Sequence, residues 1–258
     1  MRDPGLNEAI HAVGGVTELA RRVGISQPSV SNWDKIPADR VLAVEAATGV
    51  PRMRLRPDLY GENRMVVEVD EIDSARAQEY ALLSSLLVRA PGADLLAGLT
   101  RLRGDASPLG MAHIALAEAA AKTSVELVER EYFDLFIGIG RGEILPYASY
   151  YLTGFLHERP LARLRDDLIP LGIERVAGNY EPEDHAATLC EIMSAIVGGR
   201  FPVEAGTDQQ LFERHMAPWI RRFFTDIENS ERADFYRQVG ALGRVFVEIE
   251  TEAFALAG

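Results

Sequence analysis

The stretch EREYFDLFIGIGRGEILPYASYYLTG, Glu129 to Gly154, decides the fold. Its Gly138-x-Gly140-x-Gly142 trio has the form of a phosphate-cradling loop, but such a loop follows a strand and opens a helix. Here the glycines follow VELVEREYFDLFI, whose apolar residues recur every three or four positions, and they precede Pro146. That period is helical. Glycines so placed let the chain leave one helix and turn sharply across neighbouring side chains, which disfavours a dinucleotide site.

The same period runs outward in both directions. AQEYALLSSLLVRA, GADLLAGLTRLR and SPLGMAHIALAEAAAKT precede the stretch, and PLARLRDDLIPLG, PEDHAATLCEIMSAIVGG, DQQLFERHMAPWIRRFFTDIENS and RADFYRQVGALGRVFVEIETEAFAL follow it, with Gly or Pro between them. Strand-like alternation is nearly absent. The predicted fold class is all-α, with a bundle of roughly nine or ten helices over residues 74–258. Residues 61–73 read as a linker; within it, MVVEVDEI would make a lone short strand without a partner. Residues 1–60 hold four or five short helices and form a separate small domain.

Charge supports this division. Of the net −12, residues 1–60 contribute +1 from eight basic and seven acidic residues, and residues 61–258 contribute −13 from 19 and 32. The first segment can approach a polyanion, whereas the second repels one and attracts cations. The single cysteine, Cys190, excludes an internal disulfide and a Cys-rich zinc site, and it reads as a small packed residue in an apolar helix. No run reaches the roughly 18 apolar residues of a membrane span, and MRDPGLNEAI lacks the features of an export signal. The expectation is a soluble, cytoplasmic protein.

In the small domain, Thr17 to Trp33 fits a helix-turn-helix: TELARRV, then GIS, then QPSVSNW. Thr17 and Ser26 are the expected caps, Gly24 the expected stop, and Val30 and Ile25 fill the space between the helices. Gln27, Ser29, Ser31 and Asn32 are then offered outward, where Gln and Asn can pair with adenine, while Arg22 and Lys35 are candidates for phosphate. The stretch resembles the Cro and YdaS-like branch of phage-type helix-turn-helix proteins over residues 5–58. The resemblance implies DNA binding, ordinarily by a dimer with two half-sites. A mini-domain used for dimerisation or peptide contacts is the alternative.

The sequence EPEDH, Glu181 to His185, reads by itself as a helix start, with Pro182 at the first helical position and acids in the first turn. His185 shares a face with Leu189, Ile192 and Ile196, the pattern of a core histidine. Asp184 falls with Thr188 and Glu191, toward solvent, where it could meet an arginine. A metal site would need more ligands than Asp184, His185 and a distant His215.

EYFDLFIGIGRGEILPYASYYL, EPEDH and LFERHMAPWIRRFF, in that order, resemble the TorD/DmsD-type chaperones and the NarJ-like assembly factors. The family's E-P-x-D-H loop falls on Glu181, Pro182, Asp184 and His185, its H-x-x-x-W stretch on His215 and Trp219. Its aromatic-glycine stretch falls on Tyr132, Phe136, Gly138, Leu145, Pro146, Tyr147, Ser149 and Tyr151. The resemblance implies an all-helical cytoplasmic chaperone, not an enzyme. Such a chaperone binds the twin-arginine leader and apo form of an exported molybdenum oxidoreductase and assists cofactor insertion. Weak guanine-nucleotide binding and a helix-swapped homodimer are implied for some members.

The leader-binding candidates are Glu181, Pro182, Asp184, His185, Tyr147, Tyr151, His215 and Trp219. Tyr147, Tyr151, Phe155 and Trp219 are the expected apolar wall. A leader's guanidiniums need carboxylates beside such a wall, which the acidic bundle can supply. The family normally begins directly with the bundle, so the added domain leaves two further readings open. One is a transcription regulator with the bundle as sensor; the other is a scaffold that binds neither ligand.

Overall fold

The computed structural model describes residues 3–60, 69–173 and 181–257. The chain divides into two units, Met1–Val67 and Glu68–Gly258, each with its own apolar core. Most of the stretch read as linker, and the first half of the lone strand, lie outside the described residues. Glu71 and Ile72, read with that strand, instead open a helix, because the Asp70 side chain caps it by accepting from the Asp73 amide at 2.7 Å.

The smaller unit consists of α1 (Pro4–Val13), α2 (Val16–Val23), α3 (Gln27–Ser31), α4 (Val41–Thr48), α5 (Arg52–Leu55) and α6 (Pro57–Tyr60). Leu6, Leu19, Val30, Ile36, Val41, Val44 and Leu55 are wholly buried in its centre. Gly24 ends α2 in the left-handed region at φ 74°, as its position in the sequence predicts. The Ser26 hydroxyl caps α3. Helix α2, however, begins at Val16, so Thr17 sits inside its first turn, and no side chain caps it. The α2–turn–α3 pair is thus present, with a second helix of only five residues.

The larger unit contains ten helices among its described residues: α7 (Glu71–Val88), α8 (Ala93–Leu99), α9 (Pro108–Lys122), α10 (Val125–Tyr132), α11 (Ala148–Thr153), α12 (Arg159–Leu168), α13 (Ala186–Val197), α14 (Thr207–Leu211), α15 (Ile220–Asn229) and α16 (Phe235–Ala257). Ser107 and Ser124 cap α9 and α10. Helix α7 packs along α13, α15 along α16, and α16 also along α9. Nearly every residue of α13 is buried, which is what an apolar helix without a polar face requires. Cys190 lies on it, fully buried, and burial pushes its thiol up to about 12.

Two of the helices run on into single π-helical turns, Phe133–Ile137 after α10 and Phe212–Met216 after α14. In each, an amide reaches back five residues, Gly138 to the Phe133 carbonyl at 2.7 Å and Ala217 to that of Phe212 at 2.8 Å. A π turn adds one residue to a helical turn and so re-aims the side chains that follow. Here those are the residues of the glycine-rich stretch and of the His215–Trp219 segment.

Candidate functional site

The glycine-rich stretch turns the chain as its sequence predicts. Gly138 takes φ 62°, and a Cβ on Gly142 would stand 2.4 Å from the Phe136 carbonyl carbon. The chain therefore doubles back closely enough for the Ile144 amide to donate to the Leu135 carbonyl at 2.8 Å. It then runs as Pro146-Tyr147-Ala148 beside the Glu181–His185 segment. The Ala148 amide donates to the Asp184 carbonyl at 3.0 Å and the Ala186 amide to the Pro146 carbonyl at 2.8 Å, an isolated antiparallel bridge between Tyr147 and His185. Two motifs far apart in sequence are one structural unit.

This pairing overturns the expected position of Asp184. Its side chain is 1% exposed, and it does not face solvent. Oδ2 accepts from the Ser149 amide at 2.8 Å, so Asp184 caps α11, a helix whose own first residues supply no side-chain cap. Helix α13 starts at Ala186 rather than at Pro182, because the bridge holds Glu181–His185 extended and turned; the face assigned to Asp184 by helical spacing therefore does not exist. His185 is buried, as a core histidine would be, but as the N-cap of α13: Nδ1 accepts from the Ala187 amide at 3.1 Å. The Tyr147 ring meets it edge-on at 5.1 Å. Burial holds the imidazole below its ordinary pKa against the pull of Glu181 and Asp184, and the neutral ring is the form that can accept at Nδ1.

Glu181 is exposed and accepts a hydrogen bond from the Tyr147 hydroxyl. Burial, and then Glu181 itself, raise that phenol above its ordinary range. Pro182 is half-buried, and Glu183 pairs with Arg165 at 2.7 Å.

Trp219 is buried too, and His215, 7% exposed, lines a different cleft with Asp167, Leu171 and Arg214. Trp219 is 1% exposed and its indole N–H donates to the His215 carbonyl at 2.7 Å; His215, also buried, contacts Asp167 Oδ2 through Nε2 at 2.7 Å. The indole backs Tyr151, whose ring centroid lies 5.3 Å away. Of the expected apolar wall, Tyr147 and Tyr151 are half-buried and Phe155 is 70% exposed, while Trp219 supports from behind.

Beside Tyr151 opens a cleft of about 610 Å³, lined by Glu143, Leu145, Tyr150, Tyr151, Leu152 and Asp226, with Arg222 among the other lining residues. The Tyr151 hydroxyl donates to Asp226 Oδ2 at 2.7 Å. Asp226 is exposed, and Glu143, which lines the cleft from a loop, accepts from the Ser230 hydroxyl at 2.7 Å and pairs with Arg232 at 3.2 Å. None of Glu143, Leu152 and Asp226 is singled out by the sequence reading.

In the smaller unit, Gln27, Ser29 and Asn32 are exposed or partly so, and Ser31 is half-buried. Gln27 donates to the Ser31 hydroxyl at 2.8 Å, and Ser29 exchanges a bond with Ser26 at 2.7 Å. The phosphate candidates are already engaged. Arg22 binds Glu18 at 2.8 Å and the Ala47 carbonyl at 3.3 Å, and Lys35 pairs with Asp58 at 2.8 Å. Arg21, Arg40, Arg52, Arg54 and Arg56 also each have a carboxylate partner. Hydrogen bonds from Arg21 and Arg22 hold Glu18 at about 2.

Comparison with known proteins gives each unit a relative. Residues 103–225 match the nitrate reductase delta subunit family, and residues 6–64 match the bacterial toxin YdaS family. The chaperone protein TorD of Shewanella loihica is 24% identical over 217 residues, which cover 74% of this chain and 98% of that one. TorD of Colwellia psychrerythraea is likewise 24% identical, over 72% of this chain and 94% of its own. A solved protein from Archaeoglobus fulgidus, described as a candidate redox enzyme maturation protein, superposes with a TM-score of 0.44 at 22% identity, covering 66% of this chain and 93% of its own.

Proposed function

We propose that this protein, whose larger unit is similar to the TorD/NarJ-type chaperones and whose smaller unit is similar to the YdaS-type helix-turn-helix proteins, binds the twin-arginine leader of an apo-molybdoenzyme and assists cofactor insertion. The observation that carries the reading is the cleft beside Tyr151, where Glu143 and Asp226 stand next to Tyr150, Tyr151 and Leu152. A leader presents guanidiniums followed by an apolar stretch, and such a ligand needs accessible carboxylates against an apolar wall. Exposed Glu181 and Phe155 extend the same chemistry at other points of the surface. Asp184, His185, His215 and Trp219 then act through the residues they hold. The relatives are chaperones rather than catalysts, which agrees with a binding role.

The test is titration of the purified protein with a peptide of two adjacent arginines followed by an apolar segment. Asp226→Asn removes a charge-assisted contact of about 1.5–3 kcal/mol, so affinity should fall at least about tenfold. No binding by the wild-type protein would sink the leader reading.

The exposed side of α3, with Gln27 and Ser29, supports a second role, DNA contact by the smaller unit. Its cations must exchange carboxylate partners for phosphates, so binding should be modest per copy and fall steeply with salt. A shift of the protein's own upstream DNA that weakens in Gln27→Ala is the expected result. Absence of any shift at low salt removes this role, and with it the regulator alternative.

A further inference from the structure

Two tyrosines of the cleft carry guanidinium contacts that leader binding does not explain. The Arg222 guanidinium lies over the Tyr151 ring, 4.9 Å from its centroid, and donates to the Tyr151 carbonyl. The Arg141 guanidinium lies over the adjacent Tyr150 ring at 5.2 Å and donates to its hydroxyl at 2.9 Å. The two rings meet edge-on at 6.2 Å. The protein thus sets two of its own arginines on two consecutive tyrosines that line one cleft. Tyr151 is held firmly for such a contact, since its ring is backed by buried Trp219 and Phe223 and its hydroxyl is fixed on Asp226 at 2.7 Å. Ring face, carbonyl and carboxylate together are the groups that recognise a planar cation.

We propose that Tyr151, its carbonyl and Asp226 form a guanidinium subsite that the protein fills with its own Arg222 until an arginine of a bound peptide displaces it. The proposal rests on the reading of this cleft as the peptide site. Arg222 is exposed, and an exposed stacked cation is weakly held, so it yields to a competitor that brings further contacts. Arg141 on Tyr150 is the corresponding occupant for a neighbouring arginine. A vacant tyrosine face beside carboxylates would attract any surface arginine or lysine; a tethered occupant sets a threshold that only a ligand with paired cations and an apolar segment exceeds.

The experiment uses the full chain and the Arg-Arg-apolar peptide. Arg222→Gln removes the internal competitor, and affinity should rise about two- to fivefold, the inverse of the cost of an exposed stacked cation. Arg221→Gln removes the same charge one residue away, from a side chain paired with Glu248 outside the cleft, and corrects for the general gain from a more negative surface. In parallel, the Arg222 side-chain Nε–H resonance, identified by its loss in Arg222→Gln, should carry a ring-current shift in the free protein and lose it as peptide is added.

If the peptide binds but Arg222→Gln gains no more than Arg221→Gln, and the resonance does not move, the self-filled subsite is overturned while the peptide site stands. If the peptide binds neither wild type nor Arg222→Gln, both fall. Binding detected only in Arg222→Gln supports both.

Discussion

At the scale of single residues, Asp184 illustrates how a side chain can matter to a site without touching its ligand. Its carboxylate closes the first turn of α11 from another part of the chain. Asp184→Ala leaves the buried Ser149 amide without an acceptor and should lower stability by about 1–3 kcal/mol in urea unfolding. Asp184→Asn retains an acceptor, and since Oδ1 is buried with no donor among the described residues, it should cost less than about 1 kcal/mol. Two histidines provide a test of opposite sign. Hydrogen bonding to Glu79 raises the pKa of His113, so its contribution is full below the ordinary value of about 6.5 and is lost as pH rises through the raised value. Burial lowers that of His185; the unfolded chain takes up that proton first, so its contribution is lost as pH falls from about 6.5 through the lowered value. Plots of urea midpoint against pH should flatten on the alkaline side in His113→Gln and on the acid side in His185→Asn, which keeps a capping acceptor. The sequence revealed that EPEDH is special and that His185 could be a core histidine. It could not reveal that Asp184 faces inward, because that depends on pairing with Pro146–Ala148, a contact between segments 35 positions apart that no local period encodes.

Elements were more legible than side-chain directions. The period of three and four, with a cap such as Ser26, marks out helices because each depends on neighbours within a turn or two. The π turns at Phe133–Ile137 and Phe212–Met216 were not legible, since the apolar period barely changes when one residue is added. Close helix crossings also escape local reading. A Cβ on Gly240 would lie 2.5 Å from the Glu228 backbone nitrogen, where α16 crosses α15. Gly240→Ala should therefore lose about 1–3 kcal/mol to overpacking, more than offsetting the roughly 1 kcal/mol that alanine gains over glycine in a helix. Gly98→Ala in α8, where nothing stands within 4 Å of the new atom, should show that gain alone. Denaturation midpoints of the two variants should move in opposite directions.

For the whole molecule, the chain divides into two units, Met1–Val67 and Glu68–Gly258, with separate apolar cores. A chain beginning at Glu68 should keep its helical circular-dichroism signal and its peptide affinity; loss of either would show that the bundle depends on the smaller unit. The cross-chain cap on α11 has a further consequence, in the order of assembly. A helix of six residues cannot nucleate alone, and this one lacks a local cap. Helix α13 belongs to the centre of the bundle, so α11 must wait for the segment that leads into α13 to dock. The tyrosines of the cleft are then among the last groups to find their places, and the amides of Ala148, Ser149 and Ala186 should exchange with deuterium together, as one cooperative opening.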